Sequence, residues 1–75
     1  MLTHKQIDYM KEGIISDIIE YISSKTSQSV QNSLMDFVNS ETYAKLEDNN
    51  TGLYAEGSGY VYYLYEQERV NGKFA

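Results

Sequence analysis

Isoleucine recurs at helical spacing near the start of the chain, and this pattern restricts the fold more than any other feature. Ile7, Met10, Ile14, Ile18 and Ile22 fall on one face, flanked by Ile15, Ile19 and Tyr21. A stripe this wide suits a helix buried against several neighbours rather than a two-stranded coiled coil. Lys5, Asp8, Lys11, Glu12, Ser16, Asp17 and Glu20 form the polar face. Thr3 and Gln6 stand three residues apart at its start, the spacing of a capping box, with Leu2 and Ile7 as the hydrophobic staple. Six isoleucines in one helix work against local propensity, because branching at Cβ restricts the side chain, so burial must stabilise it. Gly13 adds about 1 kcal/mol of cost relative to alanine in a helix interior. Close approach of a second helix is the expected reason for it.

A short polar break, Ser23-Ser24-Lys25-Thr26-Ser27, follows. Lys25 is expected just beyond the helix end, where the dipole favours a cation, and Thr26 or Ser27 as the next cap. Val30, Leu34, Phe37 and Val38 then make one apolar stripe of a second helix. Ser40 can cap a third, short helix from Glu41 to about Glu47, with Tyr43, Ala44 and Leu46 turned inward. Asp48-Asn49-Asn50-Thr51-Gly52 is a turn, rich in residues that bond their own backbone or accept left-handed angles.

Beyond the turn two structures compete. A helix started by Ser58 would put Val61, Leu64, Tyr65 and Glu68 on one face and end at Asn71-Gly72. Alternatively, residues 52–65 could form a β-hairpin across Glu56-Gly57-Ser58-Gly59, which local tyrosine and valine propensity favours. That hairpin would be apolar on both faces, and two strands alone are marginal without covering helices. The fold expected is therefore all-α, a compact bundle of three to four helices in one small domain over residues 1–75, with the α+β hairpin arrangement as the alternative.

Seventy-five residues bury a small core, which commonly needs a disulfide, a metal or a partner as supplement. The chain has no cysteine and a single histidine, His4, which removes disulfides, thiolate metal sites and a cysteine nucleophile. A protein partner or a second copy is left as the supplement, and a homo-oligomer is expected. The net charge of −5, with six basic residues scattered singly, disfavours nucleic acid and anionic membrane surfaces. No basic-then-apolar leader pattern opens the sequence and no apolar run is of spanning length, so the cytoplasm is the expected location.

The candidate chemical motifs fail on spacing. Asp48, Asn50 and Gly52 begin like a calcium loop, but the sixth position is Leu53 and the twelfth Gly59, where glycine and glutamate are required. Gly57-Ser58-Gly59 has neither the lysine of a phosphate loop nor the third glycine of a dinucleotide turn. No pair of carboxylates and no serine with a placed base stands out, so no catalytic residue, cofactor, metal or small-molecule ligand is assigned and an enzyme is not expected. A helix-turn-helix-like pair at 27–48 would support an alternative role as a nucleic-acid-associated regulator. Its second helix, however, would offer Glu41, Glu47 and Asp48 against one Lys45.

Tyr54, Tyr60, Tyr62, Tyr63 and Tyr65 are too many to bury in so small a domain. Tyrosine is amphipathic and enriched at protein interfaces, so these five are the candidate interface residues. The order Ser27, Leu34, Phe37, Ser40, Thr42-Tyr43, Leu46, Asp48, Thr51-Gly52-Leu53-Tyr54, Tyr60, Tyr62, Leu64 and Glu68 also resembles a group of short uncharacterised bacterial proteins, some encoded near toxin-like genes. The resemblance spans about residues 15–70. It implies an all-helical fold, including a helix over Tyr60–Val70, and no known activity. Together these readings point to a non-enzymatic protein–protein interaction module, antitoxin-like or accessory in kind.

Overall fold

The computed structural model describes residues 2–72. Four α-helices follow in order: α1 (His4–Thr26), α2 (Val30–Val38), α3 (Glu41–Glu47) and α4 (Ser58–Asn71), with two single 3-10 turns, Asn49–Thr51 and Leu53–Ala55, between α3 and α4. The fold is all-α, and no strand occurs among the described residues. At 1.5 Å per residue α1 is about 34 Å long, which accounts for most of the 38 Å long axis. α2 and α4 both pack along α1, and α3 closes the end of the bundle against α4.

The core forms where the stripes meet. Ile14, Ile18 and Ile22 of α1 join Phe37, Leu46, Leu53, Val61, Leu64 and Tyr65, with Ile18, Phe37, Leu46 and Val61 fully buried. Phe37 is held edge-on between Tyr43 and Tyr65, each ring centroid 5.6 Å away, a geometry that sets ring edges against ring faces. The capping box at Thr3 is formed in both directions, by Gln6 N–H to the threonine hydroxyl at 3.1 Å and Thr3 N–H to the Gln6 amide oxygen at 2.8 Å.

The helix over Ser58–Asn71 excludes the hairpin. A helix gathers Val61, Leu64 and Tyr65 onto one buried face, whereas a lone two-stranded sheet would have left half of them uncovered. Gly57 precedes it at φ +88°, a backbone angle other residues rarely adopt, so Gly57 rather than Ser58 occupies the cap position. The Ser58 hydroxyl instead donates to the Asp17 carboxylate of α1 at 2.6 Å.

Several local expectations are corrected. α1 runs through Thr26, so Lys25 lies inside its last turn and Ser27 becomes a left-handed C-cap at φ 59°. The cap of α2 is then Ser29, the next hydroxyl with extended backbone, accepting from Asn32 N–H at 3.1 Å. Gly13 has no close neighbour: a Cβ built there would meet nothing within 4 Å, so helix packing does not explain it. Lys11 belongs to the buried face rather than the polar one, with 7% of its surface exposed. Its stem lies along the isoleucine stripe, and its Nζ donates to the Glu47 carbonyl at 3.0 Å, a cation at the open C-terminal end of α3. In α3 the inward residues are Thr42 and Leu46, with Tyr43 half-buried and Ala44 exposed. The stripe expected for α2 is rotated as well. Ser33 and Phe37 are buried, while Val30 and Leu34 are 64% and 37% exposed.

Candidate functional site

Three features could carry function: the acidic turn, the polar junction of α3 with α4, and the apolar surface left uncovered. The acidic turn is internally satisfied. Asp48 accepts from Asn50 N–H at 3.0 Å and the Thr51 hydroxyl donates to the Lys45 carbonyl at 2.6 Å, so both side chains hold the backbone of the reversal. Among the described residues, no group of three or more histidine, aspartate or glutamate side chains is placed to hold a metal ion. His4 is exposed at the first turn of α1.

At the polar junction, Glu68 reaches from α4 across the start of α3. Its carboxylate accepts from Glu41 N–H and Thr42 N–H, both at 2.9 Å, and from the Thr42 hydroxyl at 2.8 Å. The Ser40 hydroxyl accepts from Tyr43 N–H at 3.1 Å, and Ser40 N–H donates to the Phe37 carbonyl at 3.0 Å. Every one of the four N–H groups that a helix start leaves without an intrahelical partner is thereby satisfied. Burial pushes the Glu68 carboxyl up, but the three donated hydrogen bonds outweigh it and hold the group below its ordinary value. The neighbouring cleft of about 330 Å³, lined by Asp36, Ser40, Tyr65, Glu68 and Arg69, is equally committed. Arg69 donates to the Tyr65 hydroxyl at 3.1 Å and lies 3.9 Å from Asp36. This junction is structural. It also bears on the helix-pair reading, because the N-terminal amides of α3, where a phosphate would have to bind, already hold a carboxylate.

The five candidate tyrosines are divided by the fold. Tyr65 is 3% exposed and belongs to the core. Tyr62 is half-buried, edge-on to Tyr21 at 5.3 Å and beneath the Lys25 ammonium at 5.9 Å from the ring centre. Tyr54 is half-buried against the core. Tyr60 and Tyr63 are exposed, stacked at 6.4 Å on the outer face of α4, which Val70 continues two turns later. Of the five, only this pair is exposed, each by about half, and Tyr9, at 76% exposure, is a further exposed ring outside the candidate set.

The surface the sequence reading missed lies on the opposite side, between α1 and α2. A groove of about 470 Å³ runs along α1, lined by Glu12, Ile15, Ser16, Ile19, Glu20, Ser23 and Ser24, with Val30 of α2 at its edge. Ile15 and Ile19 are only half-buried there, and Leu34 follows Val30 one turn along α2. The groove continues toward a smaller one where Asp8, Lys11, Glu12, Ile15 and Glu47 meet. Its floor is aliphatic and one wall is acidic. The signal was present in the sequence, since the α1 stripe with its flanks is wider than two neighbouring helices can cover. Comparison with protein-family models, curated proteins and solved structures returns no match. No helix among the described residues is long and apolar enough to cross a membrane.

Proposed function

We propose that the chain is a non-enzymatic protein–protein interaction module, an accessory or antitoxin-like partner of a bacterial cytoplasm that works by covering part of another protein. One observation carries the reading. Val30 and Leu34, spaced with Phe37 as a buried stripe, stand in water together with the half-buried Ile15 and Ile19. Apolar side chains exposed singly are ordinary, but a contiguous aliphatic groove rimmed by polar residues is characteristic of an interaction site. The exposed Tyr60–Tyr63 pair provides a second, smaller aromatic patch of the kind enriched at interfaces. The charged groups nearest to any polar cleft are engaged in holding the fold, which favours recognition over chemistry. The acidic α3 and its occupied N-terminus give no support to a nucleic-acid role.

A photo-crosslinking residue placed at Val30, and separately at Tyr63, tests this in the producing cell. The expected result is an adduct of one defined mass from Val30. No adduct from either position would overturn the reading.

A further inference from the structure

We propose that the groove between α1 and α2 receives a basic amphipathic helix of a partner protein, an inference that rests on the interaction reading above. The groove is a helix-sized trough. Its α1 wall, Glu12 to Ser23, spans about 17 Å, three turns of a docked helix. The apolar contacts it offers, Ile15, Ile19 and Val30, suit a partner stripe at i, i+3 and i+7. Ser16, between the two acids, and Ser23, beyond Glu20, add little bulk, so a partner backbone can lie close.

Charge selects the occupant. Asp8, Glu12, Glu20 and Glu47 border the trough, and none has a lysine or arginine within 4 Å among the described residues. Lys11, the one cation among the lining residues, already donates to the Glu47 carbonyl from a buried position. Glu12 and Glu20 stand eight residues apart on α1, just over two turns, so they match lysines or arginines two turns apart flanking an aliphatic stripe.

A second copy of the chain does not meet these requirements. In a symmetric antiparallel pairing, Ile15 faces Ile19 of the other copy only when the two-fold axis passes beside residue 17. Lys5 then falls opposite Ser29, past the end of α1, and Lys25, already paired with Glu66 of its own chain at 2.9 Å, falls opposite Tyr9, so Glu12 and Glu20 face Ile22 and Ile14 rather than a cation. Sliding the pair until Lys5 meets Glu20 moves Ile15 onto Met10 and Ile19 onto Gln6. With Lys25 held by Glu66, the aliphatic register and the Lys5 register therefore do not coincide, and a second copy leaves Glu12 and Glu20 without a cation whenever Ile15 and Ile19 are paired.

The test uses the whole chain and two synthetic peptides of about 18 residues, long enough to fill the trough. Both carry leucines at i, i+3 and i+7; one has lysines beside them, the other glutamates. Binding is read by fluorescence anisotropy, with helix content checked for every variant. The lysine peptide should bind at least about tenfold tighter than the glutamate peptide, and binding should weaken as salt rises. The double variant Glu12→Lys, Glu20→Lys should reverse the preference, and Val30→Asp should abolish binding of the lysine peptide. Equal binding of the two peptides, or binding of neither, would overturn the proposal. If a Val30 adduct still forms in cells, that failure would sink the basic helix and leave the interaction module standing; absence of the adduct as well would sink both. A dimer in light scattering that Val30→Asp dissociates would also overturn the proposal, by assigning the groove to a second copy.

Discussion

Replacing Glu68 with glutamine should destabilise the protein far more than a half-buried surface residue normally would. Glutamine keeps one oxygen that can serve Thr42, but its other terminal atom is an NH₂ donor facing the Glu41 N–H, which in the parent donates to the Glu68 carboxylate at 2.9 Å. One hydrogen bond is lost, two lose their charge, and the negative charge disappears from a helix N-terminus. Hydrogen bonds to charged groups contribute about 1.5–3 kcal/mol and the helix-end charge about 0.3–1 kcal/mol, and partial exposure scales both down, so a loss of about 1–2 kcal/mol is expected. For a domain of this size that lowers Tm by about 4–16 °C. α3 has seven residues, too few to be stable by propensity alone, so the effect should appear as cooperative loss of the bundle end. The measurement is urea unfolding followed by circular dichroism, across pH. The folded carboxyl lies below its ordinary value of 4.5, so the unfolded chain binds more protons between the two values. The parent's advantage over Glu68→Gln is therefore complete above the ordinary value and is lost as pH falls through the folded one. A cost below about 0.5 kcal/mol at neutral pH, the usual size of a surface substitution, would refute the reasoning. So would a cost that stays constant into acid.

Gly13→Ala should stabilise the protein by about 1 kcal/mol, because the helix gains propensity and the added methyl meets only open space; an alanine variant less stable than the parent in the same urea assay would show that the site is not open. Ile18→Ala, at a position with no exposed surface, should cost about 2–5 kcal/mol in urea midpoint analysis. A cost under about half a kcal/mol would mean that α1 presents a different face to the core.

Much of the fold was legible because it is local. The capping box at Thr3, the Ser40 cap of α3, the reversal at Asp48–Gly52 and the end of α4 at Asn71-Gly72 are each written within a few residues of where they act. Lys11 was legible in principle too, four residues after Ile7 and three before Ile14, in the middle of the buried stripe. A lysine at such a position needs an acceptor, and that acceptor, the Glu47 carbonyl, is 36 residues away. The candidate interface was the least legible part. Tyrosine count and spacing cannot separate Tyr65, whose ring packs on Phe37, from Tyr63, whose ring lies in solvent, until α4 has a neighbour.

Periodicity alone determined that α1 and α2 are helical and that the Ile7, Ile14, Ile18 and Ile22 stripe of α1 is buried, since helix geometry is the same wherever the helix lies. Tertiary packing decided what periodicity leaves degenerate. It chose helix over hairpin for residues 58–71, because only a helix puts Val61, Leu64 and Tyr65 on one side of α1 and α2. It turned α2 so that Phe37 and the small Ser33 face inward and Val30 and Leu34 do not. It also brought Glu68 to the amides of α3, 26 residues away, where its charge has partners. The core has room for only one side of each helix, and the apolar side chains left over became the groove.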